Sequence, residues 1–257
     1  MLVIDDEWLR SRSEQQKVDS PPESVRRLVA VTIGWLLAAV AGAALCSAVT
    51  AIVFALYHVK TTPNLRNIYV AVGILGFCII LLVATFIRAR VVGHGNIRVG
   101  LGNERMQKLP VVGAMAFAVA AYAVLLSLTV SNSRPDVIAR LFSVNPWLIT
   151  FVVFFSILLF GILGPLSEEL FFRGWLWTGL RRHWDVLPTA LLTSMLWLVL
   201  HLGQGVLRPV FLLPVAIVLA MARHFSGSVR APLVLHVVYN LVIYSLAMIS
   251  PLILKQA

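Results

Sequence analysis

Charge is what this chain has least of: of 257 residues only 12% are Asp, Glu, Lys or Arg, and 11 are acidic, where a soluble domain carries about 25% charged residues. That scarcity excludes an ordinary water-soluble enzyme. With 60% hydrophobic residues and a mean hydropathy of +0.91, the chain holds more apolar surface than one soluble core of this size could hide, so much of it must face lipid. The same figures exclude intrinsic disorder. Cysteine is nearly absent too: Cys46 and Cys78 each sit inside an apolar run with no CxxC or CxxH neighbour, which excludes a disulfide framework and a zinc-finger site. They read as small helix-packing or lipid-compatible residues.

The charge that is present is lopsided, 21 Lys+Arg against 11 Asp+Glu, for a net +10. A nucleic-acid partner would cluster such charge on a patch or stripe. Here the basic residues are spread through the segments between apolar runs, where membrane proteins carry their orientation signal, so no nucleic-acid partner is expected. Residues 1–27 form a polar N-terminal tail with Asp5, Asp6, Glu7, Glu14, Asp19 and Glu23, and nothing in it reads as a cleaved signal peptide. Apolar runs follow at about 28–57, 68–87, 110–130, 147–166, 187–202, 206–222 and 231–253, each compared with the roughly 20 residues needed to span a bilayer.

The expectation is therefore an all-α fold, a polytopic transmembrane helical bundle of about seven membrane helices. Counted alternately, the polar segments carry 14 Lys+Arg on the side of the N-terminus and 6 on the other, with Arg173 left inside a helix. This places the N-terminus in the cytoplasm and the C-terminus outside, in what is expected to be the cell membrane. The stretch from Val91 to Leu109, with Gly93, Gly95, Gly100 and Gly102, reads as a loop or short hairpin and lacks the GxGxxG spacing of a phosphate-binding turn. No internal repeat is visible, which leaves the tail, 1–27, and one membrane domain, 28–257.

Nine of the eleven acidic residues lie in the tail or in loops, whereas Glu168 and Glu169 fall inside the apolar stretch from Trp147 to Leu180. A carboxylate inside a bilayer costs at least about 2.5 to 3.5 kcal/mol, so an intramembrane acid defaults to a functional reading. The bland alternative is an interfacial pair at the end of a short helix broken by Gly161, Gly164 and Pro165. At 100° per residue, Glu169 and Arg173 are about 40° apart around a helix, while Glu168 and Arg173 diverge by about 140°. Glu169 is thus the expected partner of Arg173, and Glu168 is left to face a cavity, where a carboxylate can exchange protons with water. Ser167, close after Pro165, is placed to cap a new helix.

His201 and His236 also lie in apolar segments, and Asn240 follows His236 by four residues, on the same helix face. Taken singly, each could simply hydrogen-bond a neighbouring helix. Depth links them. At 1.5 Å per residue, Glu168 is about 20 Å from Arg181, His201 about 21 Å from Leu187, and His236 and Asn240 about 9 and 15 Å from Arg230. The four groups can meet in one intramembrane cavity open toward the cytoplasm.

The segments PLSEELFFRGWL, WLVLH and HVVYN, in that order over positions 165–240, resemble the CAAX protease and bacteriocin-processing (CPBP, or Abi) family of intramembrane endopeptidases. Its eukaryotic members are the Ras and a-factor converting prenyl proteases. The family pattern is EExxxR, then FxxxH, then HxxxN or HxxxD, and the likeness covers roughly the last 100 residues, with a core at about 147–253. One departure stands out: Trp197 occupies the place where the family usually has Phe, which keeps an aromatic wall and alters the local pocket.

The resemblance implies Glu168 as the general base that activates a water and His201 as a residue that holds or polarises it. It further implies His236 and Asn240 as stabilisers of the oxyanion, with Glu169 and Arg173 ordering the site. Peptide hydrolysis needs an activated water and donors aimed at the developing charge. No cofactor is implied as required, although Glu168, His201 and His236 also make up a zinc ligand set and the spacing does not decide between the two. The implied partners are membrane lipid and a peptide or lipidated protein substrate. The alternative is a non-catalytic immunity protein or transporter-like scaffold that uses the same polar cluster for binding or proton handling.

Overall fold

In the computed structural model, which describes residues 23–58, 63–130 and 154–253, the chain is built from helices, with no strand among the described residues. Most of the tail 1–27, the segment 131–153 and the four C-terminal residues lie outside that range. Helix α1, Val25–Leu56, starts at Ser24, whose Oγ accepts from the Arg27 amide and so satisfies one of the orphan donors of the first turn. It runs beside α2, Pro63–Val92. A short helix α3, Ile97–Leu101, leads to α4, Leu109–Val130. Helix α5 covers Phe154–Leu180, α6 Val186–Leu200 with one 3₁₀ turn at His201–Gln204, α7 Arg208–Ser226 and α8 Arg230–Ile253.

Among the described residues six helices, α1, α2 and α4 to α7, are long and apolar enough to cross a membrane, and α8 adds a shorter apolar stretch, Arg230–Leu246. The protein is an integral membrane protein with a polytopic helical bundle. Large apolar side chains cover its outside, among them Leu37, Leu45, Phe117, Leu128, Leu187, Met195 and Val210, all more than 60% exposed. In water such a girdle would be a liability; against lipid tails it is the matching surface.

One end of the bundle is latched by polar contacts. Glu23 takes an ion pair from Arg27 and another from Arg88, and the His183 Nε2–H donates to its carbonyl. The Val229 amide donates to Gly102 O, Ser228 Oγ to Glu104 O and Arg230 Nε to Asn103 Oδ1. The start of α1, the ends of α2, α5 and α7 and the start of α8 therefore share this face, as alternate crossings require.

The Val91–Leu109 stretch departs from the expected loop or hairpin. Asn96 caps α3 by accepting from the Arg98 and Val99 amides, and Gly102, at φ 58°, ends it in the left-handed conformation. A Cβ on Gly100 would lie 1.8 Å from Ala89 O, so only glycine lets this helix press onto α2.

Helix α5 is the centre of the bundle. Phe171, Phe172, Arg173, Gly174, Trp175 and Leu176 follow one another without an exposed side chain, the pattern of a helix enclosed on all sides. It packs on α2, α3, α6 and α8. Two stretches, Ile157–Leu163 and Leu170–Leu176, are π-helical, with Gly164–Glu169 between them α-helical. The first wide turn accommodates Pro165, which has no N–H and whose ring would clash in a regular helix. The expected helix start at Ser167 is not found: the helix passes straight through, and Ser167 Oγ donates back to Gly164 O at 2.8 Å.

Candidate active site

The wide turn before Pro165 leaves a specific vacancy in the hydrogen-bond ladder. The Gly164 amide donates to Leu159 O, five residues back; the next donor in that register is residue 165, a proline, so Phe160 O receives nothing from its own helix. Asn240 of α8 supplies the donor, its Nδ2 reaching Phe160 O at 2.8 Å. The Phe160 ring, in turn, stacks on Tyr244 at 5.6 Å. Thus Asn240 ties α8 to α5 just before the acidic pair, with its second Nδ2 hydrogen still to spend.

Glu169 and Arg173 form the expected ion pair, Oε1 to Nη1 at 3.1 Å, with both side chains fully buried. The same oxygen accepts from His236 Nδ1 at 2.9 Å. A buried carboxylate without partners would be costly; here a guanidinium and an imidazole converge on one oxygen. Sequence spacing anticipated the first contact and not the second, because His236 lies 67 residues away.

Glu168 points to another neighbour. It is half-buried, and its Oε2 accepts from Trp197 Nε1 at 2.5 Å. Trp197 lies on the inner face of α6, where Thr189, Thr193 and Trp197 recur every four residues and are all fully buried; Leu187, Leu191, Met195 and Val199 form the opposite, exposed face. His201 continues the inner stripe. Its Nδ1–H donates to Trp197 O at 2.9 Å, a bond that leaves Nε2 as the lone-pair nitrogen of the neutral ring.

The indole of Trp197 is the hub of the cluster. The His201 ring lies 4.5 Å from it, the His236 ring 5.4 Å away and edge-on, and the Arg173 guanidinium carbon 5.1 Å over its face. Glu168, Glu169, Arg173, His201 and His236 are therefore joined through one buried side chain and its contacts, and Asn240 stands one turn beyond His236 on α8. Trp197, expected from its place in WLVLH to supply only an aromatic wall, also supplies a donor. Arg223, which by sequence alone is one of the basic residues between apolar runs, is buried and donates through Nε to Arg173 O at 2.8 Å. Wide π-helical turns leave carbonyls short of partners, which is the signal that could have marked an arginine at the end of α7.

A zinc ion would need Glu168, His201 and His236 around one point. Among the described residues no three His, Cys, Asp or Glu are grouped so as to hold a metal. The donor set as it stands does not fit the ion.

Chemically, the site offers a carboxylate with one oxygen uncommitted, an imidazole with a free lone pair, and further donors on the α8 side. Neither a curated protein nor a solved structure matches this chain. Residues 147–242 do match the Rce1-like family, type II CAAX prenyl endopeptidase Rce1-like, and the match spans Glu168, Glu169, Arg173, Trp197, His201, His236 and Asn240. That segment is similar to the CAAX protease, or CPBP, family.

Proposed function

We propose that the protein is an intramembrane endopeptidase that hydrolyses a peptide bond in a membrane-associated or lipid-modified peptide or protein. The observation that carries this reading is the gathering of Glu168, His201 and His236, from three helices, around buried Trp197 in a bundle whose outer surface is largely apolar. Intramembrane ionisable groups are expensive and are kept where chemistry or transport uses them.

In this mechanism a water lies between Glu168 and the lone pair of His201 Nε2. Glu168 takes a proton from it as the oxygen attacks the carbonyl carbon. The negative charge that develops on the carbonyl oxygen is met by His236 Nε2 and the free Nδ2 hydrogen of Asn240. With Nδ1–H committed to Glu169, His236 donates at Nε2 only when it carries both protons, and the Glu169 carboxylate balances that charge. Glu168 then returns its proton to the leaving amine nitrogen. Glu169 and Arg173 order the site without touching the reacting atoms.

No step runs through a metal, and no cofactor is required. The catalytic unit is taken as about residues 147–253, in the cell membrane, with the N-terminus cytoplasmic and the C-terminus outside. An internally quenched prenylated peptide in proteoliposomes tests the reading. Wild-type protein should cleave it, and Glu168→Gln, which keeps shape and removes the proton acceptor, should lower the rate by about 10²- to 10⁴-fold. A binding or scaffold protein would show no cleavage in either form.

A further inference from the structure

The hydrogen bond from Trp197 to Glu168 joins a donor that can do nothing else to an acceptor that has a choice. Indole N–H donates and never accepts. A buried indole in an apolar bundle needs an acceptor, and Oε2 of Glu168 is the one it has, at 2.5 Å. The ring itself cannot swing. It is fully buried, with Arg173 over its face and two imidazoles against it. Its own backbone carbonyl is held by His201 Nδ1.

We infer that Trp197 is a positioning residue for Glu168, fixing the carboxylate through Oε2 so that Oε1 is the oxygen that takes the proton. This rests on the proposed hydrolysis and deepens it. A glutamate side chain in a cavity otherwise samples several rotamers, and each one away from the attacking water is a lost encounter. Because the holder has no acceptor, it does not compete for the proton in flight. The Arg173 cation over the ring draws electron density from the indole and strengthens its N–H as a donor. The Trp197 side chain thus sets the geometry of Glu168, while the backbone carbonyl of the same residue holds His201. Phenylalanine at this place supplies the ring and no donor, so a chain with phenylalanine there must orient its glutamate by other means.

Two replacements separate the donor from the ring. Trp197→Phe loses both the N–H and part of the bulk; Trp197→benzothienylalanine keeps the bicyclic shape and puts sulfur in place of N–H. With the prenylated reporter in proteoliposomes, both should lower kcat by about 10- to 100-fold, the kinetic equivalent of a hydrogen bond to a charged group, with KM within about twofold of wild type. If benzothienylalanine retains the wild-type kcat, the ring alone matters and the inference falls.

A second readout is independent of turnover. The indole ¹⁵N–¹H resonance of Trp197 is identified among the seven tryptophans by its disappearance in Trp197→Phe. It should lie downfield of the others and move upfield in Glu168→Ala. A resonance that does not respond to Glu168→Ala overturns the inference even if the protease is active. If the wild type cleaves nothing, the proteolysis reading fails, and a responsive resonance still establishes that Trp197 holds Glu168.

Discussion

Glu169 and His236 meet through a 2.9 Å hydrogen bond between α5 and α8, on the same carboxylate oxygen that pairs with Arg173. The two adjacent acids therefore have different duties. Glu169 is fully buried and pairs with Arg173 and His236 through Oε1, while half-buried Glu168 is held by Trp197 through Oε2. Two carboxylates next to each other in sequence diverge by about 100° on a helix, which is enough to send one toward α8 and the other toward α6.

Removing Arg173 takes from buried Glu169 its guanidinium partner and leaves only the bond to His236. Arg173→Met should destabilise the protein by about 3 to 5 kcal/mol, read as a loss of folded protein in detergent under increasing denaturant. Glu169→Leu combined with Arg173→Met should recover much of that stability and none of the activity, since His236 has then lost its counter-charge. Full stability in the single Arg173→Met variant would contradict the pairing.

Asn240 has a structural duty set by Pro165. Asn240→Leu leaves the half-buried Phe160 O without a donor, at a cost of about 1 to 3 kcal/mol. Pro165→Ala restores an N–H to the helix at the position that faces this carbonyl. The double variant should therefore be more stable than the sum of the two single effects allows, a coupling that a double-mutant cycle measures directly. Strict additivity would show that Phe160 O does not depend on Asn240.

Metal dependence has a direct check. Because the donor set does not fit zinc as it stands, exhaustive dialysis against a chelator should leave cleavage of the prenylated reporter unchanged within about twofold. Loss of activity that returns only on adding zinc would demand a rearranged Glu168, His201 and His236 set.

Orientation can be read with impermeant thiol reagents. In a background with Cys46→Ala and Cys78→Ala, a Ser13→Cys variant should be labelled only after the membrane is opened, and a Gln256→Cys variant in intact cells. The reverse pattern would invert the topology, since 14 basic residues against 6 predict a cytoplasmic N-terminus.

Much of the architecture was legible in the residues because lipid partitioning depends on composition and length. The apolar runs near 28–57, 68–87 and 110–130 correspond to α1, α2 and α4, and the run expected at 147–166 continues as α5 to Leu180. Local spacing was enough for the Glu169–Arg173 pair, four residues apart on one helix. The Val91–Leu109 stretch was not legible, since its short helix exists by virtue of a glycine pressed against Ala89 of another helix.

Which faces of the helices meet could not be read from hydropathy at all. In water an apolar face must turn inward; in lipid both faces of α6 are at home, and Leu191 is exposed while Trp197 is buried. Small polar residues such as Thr189 and Thr193 mark the inner face only once the helix is seen packed. So the sequence by itself determined the number of apolar helices and the presence of two acids and two histidines where charge is costly. Only the tertiary structure decided that Glu168 meets Trp197, that Glu169 meets His236 and that Asn240 meets Phe160, because those contacts join α5 to residues 29, 67 and 80 positions away and arise from packing that no local preference encodes.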